Sequence, residues 1–394
     1  TWGAANPWHD HEDGFDSGGL QWARKCEHAY RAADHAEDLR HAGLRRLGST
    51  FAAPSGVRAS FLVANPGPAR ADVAELFLPA STVPLGEPLS IVDARTGEPV
   101  PFDEDVVHPI EWPTRPAGRR LRFVARDVPA LGYARFDLVD GSGPTAWHDL
   151  GHDGVIDSEH YRVEYDLRAG VIASLFDKVA GRELANRDAY AGLNQYVYDK
   201  YSTAPHINHL TGHIEATDEH LTLLGGRSIG RRPTIVRAVR TAVGETLEIE
   251  LDAEGTGWLR TTISVTNGVP RVDITNRMEK TGTAAKESVF FAFPFATGPA
   301  RAWELTGGTG GPERPTVPGA ATHLQPVRHW VGLGDERFAV GWASLEAPLV
   351  MLGDLYLPYA PFPPSVRPEP AEPGTLYSWA LNNIWDTNFP SQQQ

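Results

Sequence analysis

The sequence has 394 residues, of which 50 are acidic and 36 basic, and its formal net charge of -14 argues against a nucleic-acid groove or an anionic membrane surface as partner. No apolar run approaches the roughly 20 residues that cross a bilayer. A single cysteine, Cys26, excludes an internal disulfide framework and fits a reducing, cytoplasmic compartment.

The length suits two or three domains with room for a large core. The 39 glycines and 32 prolines are spread along the chain, as in turn-rich, strand-rich proteins. No secretory signal is legible, which carries no weight in a chain whose first residue is Thr1. The opening stretch TWGAANPWHDHEDGFDSGG shows neither a helical nor a strand period. Residues 17–48 then predict one long helix, with Ser17 able to cap its start and Gly48 to end it. Leu20, Ala23, Cys26, Tyr30, Ala33, Leu39, Leu44 and Leu47 recur at spacings near three and four. A helix of that length, roughly 45 Å, is typical of a bundle member. Its apolar stripe needs partners, and no other segment reads as a long amphipathic helix. Those partners are expected in another chain or upstream of Thr1.

After Gly48 the texture becomes β. Val57, Ala59, Phe61 and Val63 alternate, and similar runs follow at 71–80, 89–102 and 119–140 between Pro and Gly turns. Residues 49–145 read as a small antiparallel β domain, and 140–154 as a linker. Residues 150–394 read as one large antiparallel β-sandwich. Its clearest hairpin has Tyr161, Val163 and Tyr165 on one face, a turn at 168–170, and Val171, Ala173 and Leu175 on the return. Further strands are expected at 234–241, 246–252, 257–266, 270–277, 287–295, 337–343 and 347–352.

Several clusters could carry chemistry. His9 and His11, with Asp10, Glu12 and Asp13, offer metal-ligand types, and an H-x-H pair on an extended segment shares one face. His206, His209 and His213 offer an i,i+3 step. Solvated polar loops account for both groups more simply. Paired carboxylates serve glycoside hydrolysis, yet Asp157 with Glu159, and Glu215 with Asp218 and Glu219, read as surface groups. Cys26 lies on an apolar helical stripe and reads as a buried thiol. The run GGTGG at 307–311 lacks the lysine and the strand–helix context of a phosphate loop, and reads as a flexible loop. Near the C-terminus, Asn382, Asn383, Trp385, Asp386, Thr387 and Asn388 combine amides, an indole and a carboxylate. Such groups suit the hydroxyls and ring faces of sugars. An irregular C-terminal strand whose amides bond to backbone explains them as well.

Together these stretches resemble the glycoside hydrolase family that contains the class II α-mannosidases (family 38). TWGA resembles the segment directly after a zinc-binding histidine in bacterial members. SGGLQWARKCEHAYRAADHAEDL resembles a helix of the family's three-helix bundle. EHYRVEYDLRAGVIASLFDKVAGREL, followed by GLNQYVYD, resembles the start of its large C-terminal sandwich. NRMEKTGTAAKESVFFAFPF resembles its central strands, and QPVRHWVGLGDERFAVGWASLEAPLVMLG and SWALNNIWDTNFP its later ones. The likeness covers nearly the whole chain and rests on order and spacing.

The resemblance implies a mainly β chain: one long N-terminal helix, a small antiparallel β domain and a large galactose-mutarotase-like β-sandwich. Residues 1–48 would be an active-site rim loop and one remnant of the bundle. It implies retaining hydrolysis of α-mannosides with zinc, the nucleophilic aspartate and most zinc ligands lying before Thr1. His9 and His11 would then be no ligands. Within this chain it implies no catalytic residue and no complete metal site. Trp2, Asn382, Asn383, Trp385, Asp386 and Asn388 would line the sugar site, with Asn194, Tyr198 and Tyr201 next. The expected partner is a mannoside or oligosaccharide, and self-association into a homo-oligomer is in keeping with the family. One competing reading is a non-catalytic carbohydrate-binding or scaffolding module. Another is a lyase or epimerase built on His160 with Glu164, or on the 206–213 histidines.

Overall fold

The fold is mainly β, with one helix among the described residues. A computed structural model describes residues 17–110, 116–201, 223–283, 285–312, 323–355 and 372–383; the side chains of 17–23, 25 and 383 lie outside that description. Every strand pair is antiparallel. No described helix is long and apolar enough to cross a membrane.

The helix runs Ser17–Gly48, as its period predicts, and touches the strand Ala59–Asn65. Its apolar stripe is largely in solvent: Tyr30 is 63%, Leu39 75% and Leu44 39% exposed. Cys26 is half-buried and free, less enclosed than a core thiol.

The next part of the chain builds two sheets. One joins Ala59–Asn65, Gly132–Asp140, Leu89–Asp93 and Pro99–Val100; the other joins Arg70–Pro79, Gly118–Val128 and Phe102–Val107. Alternation sends Leu89, Ile91, Leu121, Phe123, Phe136 and Leu138 into one buried cluster that draws on both. Phe61, Phe123 and Phe136 meet there with centroids 4.8–5.8 Å apart. The stretch expected to be a linker is tied down on both sides. Gly143 N donates to Leu89 O and Thr145 N to Phe102 O, while His148–Asp149 pairs with Val239 and Arg240. Two further ties cross the same join. Asp103 Oδ1 accepts from Ala242 N at 2.7 Å, and Arg271 pairs with Asp72 at 3.0 Å.

Four more sheets follow. The largest has six strands in the order Ser228–Ile229, Gln195–Lys200, Glu287–Pro294, Thr375–Asn383, Leu349–Leu352 and Leu324–Pro326. Its central strand, ESVFFAFP, is buried at every position. Val289, Phe291 and Phe293 point into the main core with Tyr196, Tyr198, Val350, Leu352 and Leu376. Phe290 and Ala292 point into a second cluster with Val197, Tyr201, Met351, Tyr377 and Trp379. A continuous apolar run is what a strand covered on both faces requires. The main core is completed by the five-stranded sheet around Gly244–Asp252 and Thr256–Thr266, and by two four-stranded sheets.

Two expectations are corrected. In the hairpin Tyr161–Asp166/Val171–Asp177 the register slips between Glu164 and Tyr165, leaving Ala173 as a bulge. The bulge inverts the phase of the strand on its N-terminal side, so Ile172 joins Leu175 in the main core in place of Val171 and Ala173. The run GGTGG is no flexible loop. Gly307, at φ 77°, turns the chain, and Gly308–Gly310 pairs back on Trp303–Leu305. Gly310 lies so close to the Trp303 indole that a Cβ would fall 2.4 Å from Nε1. The glycines serve a tight hairpin over a buried tryptophan.

Glu183 organises the end of the same hairpin. Its carboxylate accepts from Ser174 Oγ (2.6 Å), Leu175 N (2.7 Å) and Ala185 N (2.9 Å) and pairs with Arg187 (3.2 Å). Burial opposes the charge, but these donors prevail and hold its pKa below the ordinary 4.5. The stability it lends is complete above pH 4.5 and disappears as pH falls through the lowered value. Glu183→Gln should therefore flatten the acid limb of the stability profile, read from urea midpoints across that range. Phe290→Ala should cost about 3–5 kcal/mol in the same measurement, because the ring is enclosed on a sheet with cores on both sides.

Candidate functional site

Polar side chains inside the six-stranded sheet separate by face. On the main-core face, Tyr198 donates to Glu287 Oε2 at 2.5 Å, and Lys280 pairs with the other carboxylate oxygen at 2.5 Å. Burial, with Glu287 beside it, pushes the Tyr198 phenol up. Asn194, at φ 59°, exchanges two amide hydrogen bonds with Asn276 (2.8 and 3.1 Å), and Asn276 also accepts from Thr261 at 2.7 Å. These contacts bind the six-stranded sheet to the five-stranded one. Asn194 and Tyr198 thus bond to partners inside the fold.

The second face differs. The register aligns Asp199 with Ser288 and Ser288 with Asn382, so these three share a row across three strands. The alignment depends on a second bulge. Phe290 pairs with Trp379 but Val289 pairs with Leu381, leaving Ala380 extra. In a regular strand, residues 379 and 382 would face opposite ways. The bulge turns Asn382 onto the face that carries Trp379 and Asp199.

Asp199 is the focus of this row. Its side chain is 1% exposed. Oδ2 accepts from Arg227 Nε at 3.2 Å and from Tyr201 Oη at 3.3 Å, while Oδ1 is buried with no hydrogen-bond partner among the described residues. Burial raises its pKa, and Arg227 and Tyr201 only partly offset that. Burial and the Asp199 charge likewise push the Tyr201 phenol up. Two consecutive left-handed glycines, Gly225 at φ 77° and Gly226 at φ 82°, bring Arg227 here. Their Cβ positions are open, so conformation and not space demands glycine. Arg227 Nη2 donates to Leu355 O at 3.2 Å, and the guanidinium carbon lies 5.9 Å from the centre of the Tyr190 ring. Tyr190 N in turn donates to Glu372 Oε1 at 2.6 Å. The indole Nε1 of Trp379, on the same face, is buried without a partner among the described residues, and its ring stacks on Phe290 at 5.5 Å.

A buried acid with an unused oxygen, a fixed guanidinium, an amide and an exposed aromatic ring make a mixed donor–acceptor corner. Such a corner can orient a polyol; a perturbed carboxyl of this kind marks a candidate site. Of the residues expected to line a sugar, the structure brings Asn382 and Tyr201 to it. Asn383 closes the strand, with its backbone opposite Glu287. Trp2, Trp385, Asp386 and Asn388 lie outside the described residues, as do His9, His11 and the 206–213 histidines. Asp199, Arg227 and Tyr190 were not singled out from sequence, although the Gly-Gly-Arg run was a legible turn signal. No contact joins His160 to Glu164 among the described residues; Glu164 Oε1 accepts from Arg162 at 2.9 Å. Asp157 pairs with Lys178 at 2.7 Å.

Among the described residues no group of three or more His, Cys, Asp or Glu side chains could hold a metal ion.

No family model and no curated protein matches the chain. Among solved structures it is similar to the crystal structure of an alpha-mannosidase from Enterococcus faecalis V583. The TM-score is 0.57 at 11% identity, over 94% of this chain and 45% of that one. The chain therefore has a mannosidase-like fold and spans less than half the length of that protein.

Replacing Asp199 tests the corner's internal bonding. Asp199→Ala should cost about 2 kcal/mol by urea denaturation, the order of a hydrogen bond to a charged partner. Asp199→Asn keeps an acceptor for Arg227 Nε and should cost clearly less.

Proposed function

We propose that this chain is part of a glycoside hydrolase that acts on α-mannosides, contributing a galactose-mutarotase-like β-sandwich that faces the sugar. The observation that carries this reading is the fold likeness to an alpha-mannosidase along almost the whole chain. The sugar-compatible corner around Asp199, Arg227 and Asn382 supports it from the chemistry of the residues. The reading includes a retaining mechanism, in which two carboxyl groups split the displacement through a glycosyl-enzyme intermediate. It also includes zinc, whose part would be to bind sugar hydroxyls. Neither the nucleophile nor a zinc ligand is assigned to a described residue, and no step is routed through them.

The test is hydrolysis of nitrophenyl α-mannoside with added zinc, by this chain alone and by the protein extended with the sequence its gene encodes upstream. Turnover by the extended protein alone is expected. Turnover by neither form would overturn the hydrolase reading and favour a carbohydrate-binding module. Turnover by the short form would show that the catalytic groups lie within this chain.

A further inference from the structure

We propose that Tyr190 and Arg227 form a binding subsite for a neutral sugar ring, with Asp199 as the residue that positions Arg227. The identification of the ligand as a sugar rests on the hydrolase reading above, but the geometry has its own logic. The Arg227 guanidinium is fixed at two points, Nε on Asp199 and Nη2 on the Leu355 carbonyl. The side chain is nonetheless 23% exposed. A guanidinium fixed at two points and still part-exposed is organised for a ligand that offers oxygen atoms.

Beside it, the Tyr190 ring is 71% exposed, unusual for an aromatic side chain whose backbone is fixed. The chain at Tyr190 is pinned by the bond from its amide to Glu372. The next residue, Ala191, is buried in the cluster beneath, and Gly192 packs so tightly that a Cβ would fall 2.6 Å from Val171 Cγ1. The exposed ring is therefore displayed on a rigid loop. Aromatic faces in such positions suit the apolar C–H face of a hexose, while a guanidinium edge suits its hydroxyls.

Charge decides between a sugar and an anion. Among the described residues, Asp199 bonds the guanidinium, Glu372 holds the Tyr190 amide, and Asp354 accepts from Glu372 N at 3.1 Å, so carboxylates outnumber it. Glu372 and Asp354 also help raise the pKa of Tyr377, after burial, while Arg227 lowers it. A phosphate or carboxylate ligand would meet this excess of negative charge. A polyol accepts from Arg227 and can donate to carboxylates, so it fits both signs.

Calorimetric titration of the chain with methyl α-mannoside, and separately with inorganic phosphate, tests this. The wild-type chain should bind the mannoside and bind phosphate more weakly. Tyr190→Ala should weaken mannoside binding about tenfold, a loss of about 1.4 kcal/mol, and Arg227→Lys by a similar factor. Tyr190→Phe should bind as the wild type does. An unchanged urea midpoint for Tyr190→Ala separates lost binding from lost fold. Absence of mannoside binding to the wild type, equal binding by Tyr190→Ala, or tighter binding of phosphate overturns the proposal. The two readings fail separately. Mannoside turnover by the extended protein that Tyr190→Ala leaves unchanged, with unchanged binding, sinks the subsite and spares the hydrolase. Binding that depends on Tyr190 without any turnover does the reverse.

Discussion

The strand Glu287–Pro294 is enclosed on both faces, and the rest of the large β region is arranged by that fact. An antiparallel sheet ordinarily spares one face for water. Here Val289, Phe291 and Phe293 fill one core while Phe290 and Ala292 fill another. Each neighbouring strand must then bring apolar groups to both sides, as Tyr196, Val197 and Tyr198 do from one flank and Leu376 and Tyr377 from the other. Polar groups can enter such a sheet only where partners are supplied, because an unpaired one is costly there.

That condition explains the contrast between its two buried acids. Glu287 and Asp199 sit one row apart on opposite faces. Glu287 meets both Tyr198 and Lys280, and the trio locks two sheets together. Asp199 meets Arg227 and Tyr201 through one oxygen and keeps the other idle. The first arrangement is spent on cohesion. The second retains bonding capacity, and it does so beside the exposed Tyr190 ring.

Much of the fold was legible in the sequence because the signals are local. The helix Ser17–Gly48 follows its three-and-four spacing, and the strands Gly244–Asp252 and Thr256–Thr266 follow alternation that a half-solvated sheet preserves. What was missed depends on partners distant in the chain. The bulges at Ala173 and Ala380 reverse a strand's phase without a compositional mark. Asp199 gains its character from Arg227 and Ser288, remote in sequence, and an isolated Asp among 50 acids carries no sign of that. Gly-Gly before Arg227 was visible as a turn, but not what the turn delivers. Asn382 was picked for its chemistry, and its orientation is owed to a bulge that its chemistry does not announce.

The join near Gly141–Leu150 has a consequence for how this protein has been inherited. Asp103, in the first β region, accepts from the Ala242 amide of the second, and Arg271 of the second pairs with Asp72 of the first. The intervening segment is itself stitched to Leu89, Phe102 and Arg240. A gene fusion or exchange that replaced one region without the other would leave Asp103 without its amide donor and Asp72 without its guanidinium. Ties on both sides of the join therefore favour inheritance of the two regions as a unit.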